Sequence, residues 1–337
     1  MPTTCILQSG STIRLSGERL VVTTPETESS TGDSREIPIR DVDRLVHSEY
    51  VHLTSPALSA LLAAEIPVSI LAGDGRFLGS FLPPLNTQAQ ARLLQYQRTL
   101  DPIFAREIST RLVHAKLYNQ RRVLQRLLSN REVAAPEIAA ALGWLDASFS
   151  SIHLSSSIDE LRGHEGSTTA RYFSAWSNFL PPEFPFERRS TRPPLNAVNA
   201  CISFAATILY TEMVAHLHAH GLDPALGCLH VPTDGRWSLA LDLVEPFRPA
   251  FVEALALDLF SHQILNASHF ESRDGGVYLN DAGRRKFFLQ YERRLERQFL
   301  SESAGHRTTL RQQMEKQTLL FKAALNDPKA FKPFQMN

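Results

Sequence analysis

The residues best suited to chemistry lie between Leu222 and Arg248, in the run LDPALGCLHVPTDGRWSLALDLVEPFR. A turn-rich segment carries one histidine, His230, and ends at Thr233-Asp234-Gly235. Ser238 then opens an apolar run whose acidic positions are Asp242 and Glu245. Serine is a favoured N-cap, so a helix is expected to begin there with Ser238 as its cap. Residues three apart share a helical face, which brings the two carboxylates together among Leu239, Leu241, Leu243 and Val244. Burying two anions side by side is unfavourable unless a cation compensates them. A divalent metal ion, reached also by the His230 imidazole, would do so. Two plainer arrangements fit the same spacing: a structural histidine at a turn, and a Glu245–Arg248 pair at i,i+3. Spacing alone leaves the three open.

The chain has 337 residues, enough for two domains with sizeable cores. Its 35 Lys+Arg balance 35 Asp+Glu, so global charge announces no nucleic-acid partner. The distribution is uneven. Residues 1–86 carry 6 Arg and no Lys against 10 Asp+Glu, a net of −4, whereas residues 284–337 carry 12 Lys+Arg against 5 Asp+Glu, a net of +7. One end could therefore face phosphate, although a solvated basic helix has the same composition. Cys5, Cys201 and Cys228 match no zinc or CxxC spacing. With no disulfide framework and no signal segment, a cytoplasmic protein is expected. The apolar window Ala57 to Gly73 is interrupted by Glu65 and Pro67, so no membrane span or membrane partner is expected.

The elements that must position these residues read as two domains. Residues 3–53 carry short β-branched runs (Cys5–Leu7, Thr12–Leu15, Leu20–Thr23, Ile37–Ile39) with a polar loop from Glu26 to Ser34. Ser55-Pro56 opens a short helix, and Val68–Leu71 with Phe77–Phe81 form a hairpin around Asp74-Gly75. Leu82-Pro83-Pro84-Leu85-Asn86 is the expected linker. The reading is an α+β chain: a small, β-rich, sandwich-like domain over 1–85 and a larger all-α domain over 86–337. Long helices are expected over Gln88 to Asn130, with a basic face that includes Lys116, and from Pro136 onward. Gly163-His164-Glu165-Gly166 reads as a bend before an aromatic helix face, and Phe184 to Pro194 as an arginine-rich loop able to track a nucleic-acid backbone. Val277–Leu279 reads as extended, Asp281 as a helix cap, and Leu310 to Leu325 as a final helix.

Four ordered blocks resemble the CRISPR-associated Cas1 integrase family. GCLHVPTDGRWSLALDLVEPFRP is similar to its G-x-L-H…S-L-A-x-D-L-x-E-x-F-R-P pattern, and HEGSTTARYF to its E-G…A-R…Y-F block, with the Ala-Arg pair one place late. FERRSTRPPLNAVNACISF and the Tyr278–Phe287 run resemble two further blocks, except that Asn196 stands where many members carry Asp and Ala206 replaces a common Tyr. The resemblance implies metal ligation by Glu165, His230 and Glu245, with Asp242 a further acidic catalytic residue beside them. It implies Mg²⁺ or Mn²⁺ as cofactor, and the imidazole tilts preference toward Mn²⁺. Arg248, Arg189, Arg192 and Lys116 are the candidate DNA contacts. The implied activity is integration of short prespacer DNA into a CRISPR array by 3′-hydroxyl attack on a phosphodiester. The implied partners are a second copy, joined through the β-rich domain, and the small protein Cas2. Two other readings remain open: a metal-dependent endonuclease cutting branched or single-stranded DNA, and an inactive DNA-binding scaffold.

Overall fold

A computed structural model describes residues 3–25, 32–73, 77–84, 89–129, 136–301 and 305–337. The chain begins with strands β1 (Thr3–Ile6), β2 (Thr12–Ser16), β3 (Arg19–Thr23), β4 (Ser34–Pro38), β5 (Arg44–Ser48) and β6 (His52–Leu53). Helix α1 (Ser55–Ala63) and strands β7 (Val68–Leu71) and β8 (Phe77–Phe81) complete the β-rich region. Two four-stranded sheets result, ordered β1-β5-β7-β8 and β4-β3-β2-β6. Ile13, Leu20 and Val22 of one sheet share an apolar core with Leu45 and Val68 of the other, closed by Ala57 and Leu61 of α1. Strand β5 pairs in parallel with both β1 and β7 and is buried along its whole length. Sequence reading missed this strand because Arg44, His47 and Ser48 break the alternation of a half-buried strand. Most of the expected Glu26 loop, the Asp74-Gly75 turn, and Leu85 and Asn86 of the expected linker lie outside the described residues.

The remainder is mainly helical: α2 (Ala89–Thr99), α3 (Pro102–Leu128), α4 (Pro136–Leu154), α5 (Ile158–Trp176), α6 (Ala197–Ala219) and α7 (Ser238–Val244). A wide π-type turn over Arg248–Glu253 leads into α8 (Ala254–Ser261). Then come β9 (Phe270–Arg273), β10 (Gly276–Leu279), α9 (Asp281–Glu296), β11 (Phe299–Ser301), β12 (His306–Thr308) and α10 (Leu310–Ala324). The expectation of an all-α region is therefore corrected by two antiparallel hairpins. Asp274 and Gly275 both take positive φ, at 49° and 73°, the backbone that a tight two-residue hairpin turn demands. Val277–Leu279 is the second strand of that hairpin. Asn280, not Asp281, caps α9, its side chain accepting from the Gly283 N–H at 3.0 Å. Helix α6 is long and apolar enough to span a membrane, but 72% of its apolar window is buried inside the protein, where it serves as a core helix.

The β-rich and helical regions meet across buried charge. Arg311 of α10 donates from Nε to Glu212 of α6 at 2.6 Å and from Nη2 to Glu292 of α9 at 3.0 Å, and pairs with Glu296. Arg44 of β5 lies 3.8 Å from the other Glu212 oxygen. Several cations of the basic 284–337 stretch are thus engaged internally: Arg284 bonds the Gly73 carbonyl, Arg294 pairs with Asp258, and Lys322 bonds the His220 carbonyl. His216, one turn after Glu212, is half-buried, with its Nε2 shut off from solvent and without a hydrogen-bond partner. Burial pushes its pKa down, against the opposing charge of Glu212. The unfolded chain therefore takes up this proton first, near the ordinary value of 6.5. The stability that His216 contributes is complete above that value and is lost as pH falls through the lower folded-state pKa. Urea unfolding midpoints are expected to drop between pH 7 and pH 5, and His216→Gln is expected to flatten that drop.

Candidate active site

Helix α7 starts at Ser238, but its cap comes from another part of the chain. Trp237 occupies the cap position, and the Leu239 and Ala240 N–H groups donate to the Pro224 carbonyl at 2.9 and 3.4 Å. Ser238 is instead the first helical residue, its Oγ bonding the Val231 carbonyl at 3.1 Å. At the far end Gln317 of α10 donates to the Leu243 carbonyl, and Asn119 of α3 to Pro246 at 2.7 Å. A short helix with few bonds of its own is thus fixed by three distant segments.

Asp242 is fully buried and faces the histidine loop. Its Oδ2 accepts the Cys228 and Leu229 N–H groups at 2.6 and 2.9 Å. Its Oδ1 accepts the His230 N–H at 2.9 Å and His230 Nδ1 at 2.7 Å. An ionised carboxylate only accepts, so Nδ1 carries the proton and Nε2 is the nitrogen left to bind a ligand. Sequence reading grouped Asp242 with the catalytic residues. In the folded chain the loop engages both its oxygens, an arrangement that shapes the loop and aims the imidazole. Burial opposes charge on His230, but the Asp242 hydrogen bond and charge, with Glu245, outweigh it and hold the imidazole pKa above the usual range. Gly227 permits this approach: a Cβ there would stand 2.8 Å from Asp242 Oδ2 and from Ser238 backbone carbon. Gly227→Ala is expected to lower stability by about 1–3 kcal/mol in urea unfolding, and to impair catalysis through the displaced loop.

The carboxylate that Glu245 meets is Glu165, through Lys116. Lys116 of α3 pairs with Glu165 of α5, and its Nζ lies 2.5 Å from Glu245 Oε2. Glu165 Oε1 also accepts from Thr169 at 3.0 Å, and Gln120 donates to Thr169 at 3.1 Å. Lys116/Gln120 and Glu165/Thr169 are both four apart, so the parallel helices α3 and α5 meet at successive turns. No bend occurs at Gly163 or Gly166. Helix α5 runs through both, and a Cβ at either would meet nothing within 4 Å. The glycines face open space, and the helix is held from its other side by α3 and α4.

Charge is nearly balanced within the cluster. Arg248 Nη1 donates to Glu245 Oε1 at 3.0 Å. Burial alone would raise the Glu245 pKa, but Lys116, Arg248 and His230 hold it well below the usual carboxylate range. Burial likewise opposes charge on Lys116, and Glu165 and Glu245 outweigh it and raise its pKa. The expectation that put Lys116 on an exposed basic face is corrected, since its side chain is 6% exposed and enclosed by two acids. Arg189 is also drawn inward, bonding Asn199 Oδ1 at 2.7 Å and Ser203 Oγ at 3.0 Å, and burial lowers its pKa to about 10. Its visible contacts brace the loop; Arg192 is exposed, as is Arg188. Sequence reading also missed Glu253, a buried acid of the π-type turn. Burial raises its pKa against the charges of Arg248 and Lys116. Its position three turns beyond Asp242 and inside an apolar run was the only signal. A groove of about 930 Å³ lined by Arg106, Arg111, His114, His153, Lys316 and Lys332 contains none of the four expected site residues.

As the side chains stand, no three His, Cys, Asp or Glu residues among those described converge closely enough to hold an ion. The donor chemistry nevertheless fits one. Glu245 Oε2 is buried with no hydrogen-bond donor aligned on it, although the Lys116 ammonium stands beside it. A second carboxylate faces it across that ammonium, and His230 offers Nε2. Hard oxygens with one imidazole suit Mn²⁺ and accept Mg²⁺.

Comparison with known proteins adds the following. The sequence model of the family described as CRISPR associated protein Cas1 matches residues 4–293. A protein of Thermodesulfovibrio yellowstonii named CRISPR-associated endonuclease Cas1 1 is 33% identical over 270 residues, covering 78% of this chain and 83% of the relative. The solved structure of TM1797, a Cas1 protein from Thermotoga maritima, is 26% identical, covers 100% of both chains and has a TM-score of 0.79. A casposase solved bound to integration product shares the fold at a TM-score of 0.88 and 22% identity, over 100% of this chain and 95% of the other.

Proposed function

This chain belongs to the CRISPR-associated Cas1 family, and on that premise we propose that it is a divalent-metal-dependent DNA integrase. It inserts short prespacer duplexes into a CRISPR array by attack of a 3′-hydroxyl on a backbone phosphodiester. The observation that carries the reading is that one buried cation, Lys116, contacts both Glu165 and Glu245, while Asp242 orients a His230 that feels the charges of Glu245 and Lys116. Those three residues would hold Mg²⁺ or Mn²⁺. When bound, such an ion would supply Lewis acidity at the scissile phosphate. One phosphodiester is broken and one is made, so no nucleotide hydrolysis is needed, and the task of the protein is positioning and charge stabilisation. Asp242 keeps the imidazole in the tautomer that presents Nε2. Arg248 fixes Glu245 through Oε1 and leaves Oε2 for the ion. Exposed Arg192 contacts the DNA backbone, while Arg189 holds that loop in shape.

The working assembly is a homodimer joined through the β-rich region over 1–85 and bridged by the small partner Cas2, acting in the cytoplasm. A second reading is kept because the Thermodesulfovibrio relative is named an endonuclease: water replaces the 3′-hydroxyl, and branched or single-stranded DNA is hydrolysed at the same residues. Products separate the two. Labelled duplex with free 3′-hydroxyls is incubated with supercoiled plasmid bearing a leader and repeat, the small partner and Mn²⁺. Label joined covalently to plasmid is the expected result. Nicked plasmid without joined label would instead support hydrolysis.

A further inference from the structure

We propose that Lys116 is the resident counter-cation of this site: it competes with the divalent ion for Glu165 and Glu245, so ion loading is coupled to the arrival of a DNA phosphate. The inference rests on the metal reading above. Lys116 is buried, and its ammonium contacts the same two carboxylates that the ion requires. Both oxygens of Glu245 already have cationic neighbours, Arg248 on Oε1 and Lys116 beside Oε2. The two contacts differ in kind. Arg248 holds Oε1 through a planar guanidinium at 3.0 Å, whereas the single ammonium is shared between two carboxylates, donating to Glu165 and lying 2.5 Å from Glu245 Oε2. A dication ligated by Oε2 would stand within a few ångströms of that ammonium, so the two cannot hold the position together. The lysine is the group able to leave, a point charge on a flexible four-carbon stem.

Counting charge shows what draws it away. Glu165 and Glu245 cancel Lys116 and Arg248, and Asp242 behind the neutral His230 leaves a net of −1. Adding a dication brings the net to +1 in a largely enclosed site. A backbone phosphate offsets that surplus and gives the displaced ammonium an anion to face. Ion and phosphate therefore favour one another, and the coupling is reciprocal. The ion-free site stays folded because it carries its own cation.

The test is Mn²⁺ titration calorimetry on the full chain, with and without a duplex whose 3′ ends are dideoxy-terminated. Wild type is expected to bind Mn²⁺ about tenfold or more tightly with the duplex present. Lys116→Gln is expected to bind the ion about tenfold more tightly than wild type without DNA, and to gain less from adding it. Equal or weaker binding by Lys116→Gln overturns the proposal. Glu245→Gln separates the two levels. Wild-type binding that Glu245→Gln leaves unchanged removes the metal reading and this inference with it. Binding lost in Glu245→Gln but unaltered in Lys116→Gln removes the competition alone. If Lys116→Gln does not fold, wild type still decides: acetylation of Lys116 by an amine-reactive ester, read by mass spectrometry, is expected to rise with saturating Mn²⁺ alone, which displaces the ammonium with no phosphate to cover it. Unchanged labelling overturns the proposal.

Discussion

Asp242→Asn is expected to reduce strand transfer by roughly 10–100-fold while leaving the helical fold intact. The carboxylate accepts four hydrogen bonds, two on each oxygen, all from residues 228–230. An amide has one oxygen, so two of the four donors must face an NH₂ group instead. With its carbonyl at the Oδ2 position, the Cys228 and Leu229 bonds survive and the imidazole loses the acceptor that sets its tautomer. With the amide turned over, His230 keeps its partner and the loop loses two N–H acceptors. Each buried donor left unpaired costs about 1–3 kcal/mol, so stability falls as well. Single-turnover strand transfer at saturating Mn²⁺, alongside urea unfolding, checks both effects. A variant as active as wild type would mean that the orientation of His230 does not matter.

Arg311→Met is expected to cost about 3–5 kcal/mol of stability, the usual consequence of removing one partner from a buried ion cluster. Glu212, Glu292 and Glu296 converge on this guanidinium, and Glu212 is 5% exposed. The nearest other cation to Glu212 is Arg44, 3.8 Å away and making no aligned hydrogen bond. Pairing Arg311→Met with Glu212→Gln removes the stranded charge and is expected to recover part of the loss. The comparison is made by urea unfolding of the two variants and wild type. A loss below about 1 kcal/mol for Arg311→Met would place this cluster with ordinary surface pairs.

What could be read from sequence divides along a physical line. Periodicity locates α3, α4 and α10, because each buries an apolar stripe that its own spacing declares, whereas α6 shows itself by being apolar nearly all round. Local rules failed where tertiary partners replace local ones. Helix α7 borrows a Pro224 carbonyl in place of a serine cap, and β5 keeps Arg44 and His47 inside because flanking strands and Glu212 surround them. Lys116 is the instructive miss. It belongs to the four-spaced row Leu112, Lys116, Gln120, Leu124, every member of which is buried, so the row itself marked this lysine as interior. Its charge invited assignment to the solvated face. Type and spacing single out His230 and Glu245 as candidates, but the link from Glu245 to Glu165 spans α3 and α5, and only the folded chain closes it. The Asp274-Gly275 hairpin is legible from its dipeptide, although only its second strand, Val277–Leu279, reads as extended within a region expected to be all-α.

Under the proposed function, Glu165, His230 and Glu245 would hold the ion that DNA joining requires. The most direct measurement compares wild type with His230→Ala in the plasmid-joining reaction across a Mn²⁺ titration, with circular dichroism confirming that both are folded. His230 lies in a partly exposed loop, so its removal should spare the fold. Ion-dependent joining by wild type, and no joining by His230→Ala at any Mn²⁺ concentration, is the expected result. Joining by His230→Ala at the wild-type rate and ion dependence would contradict that ligand set.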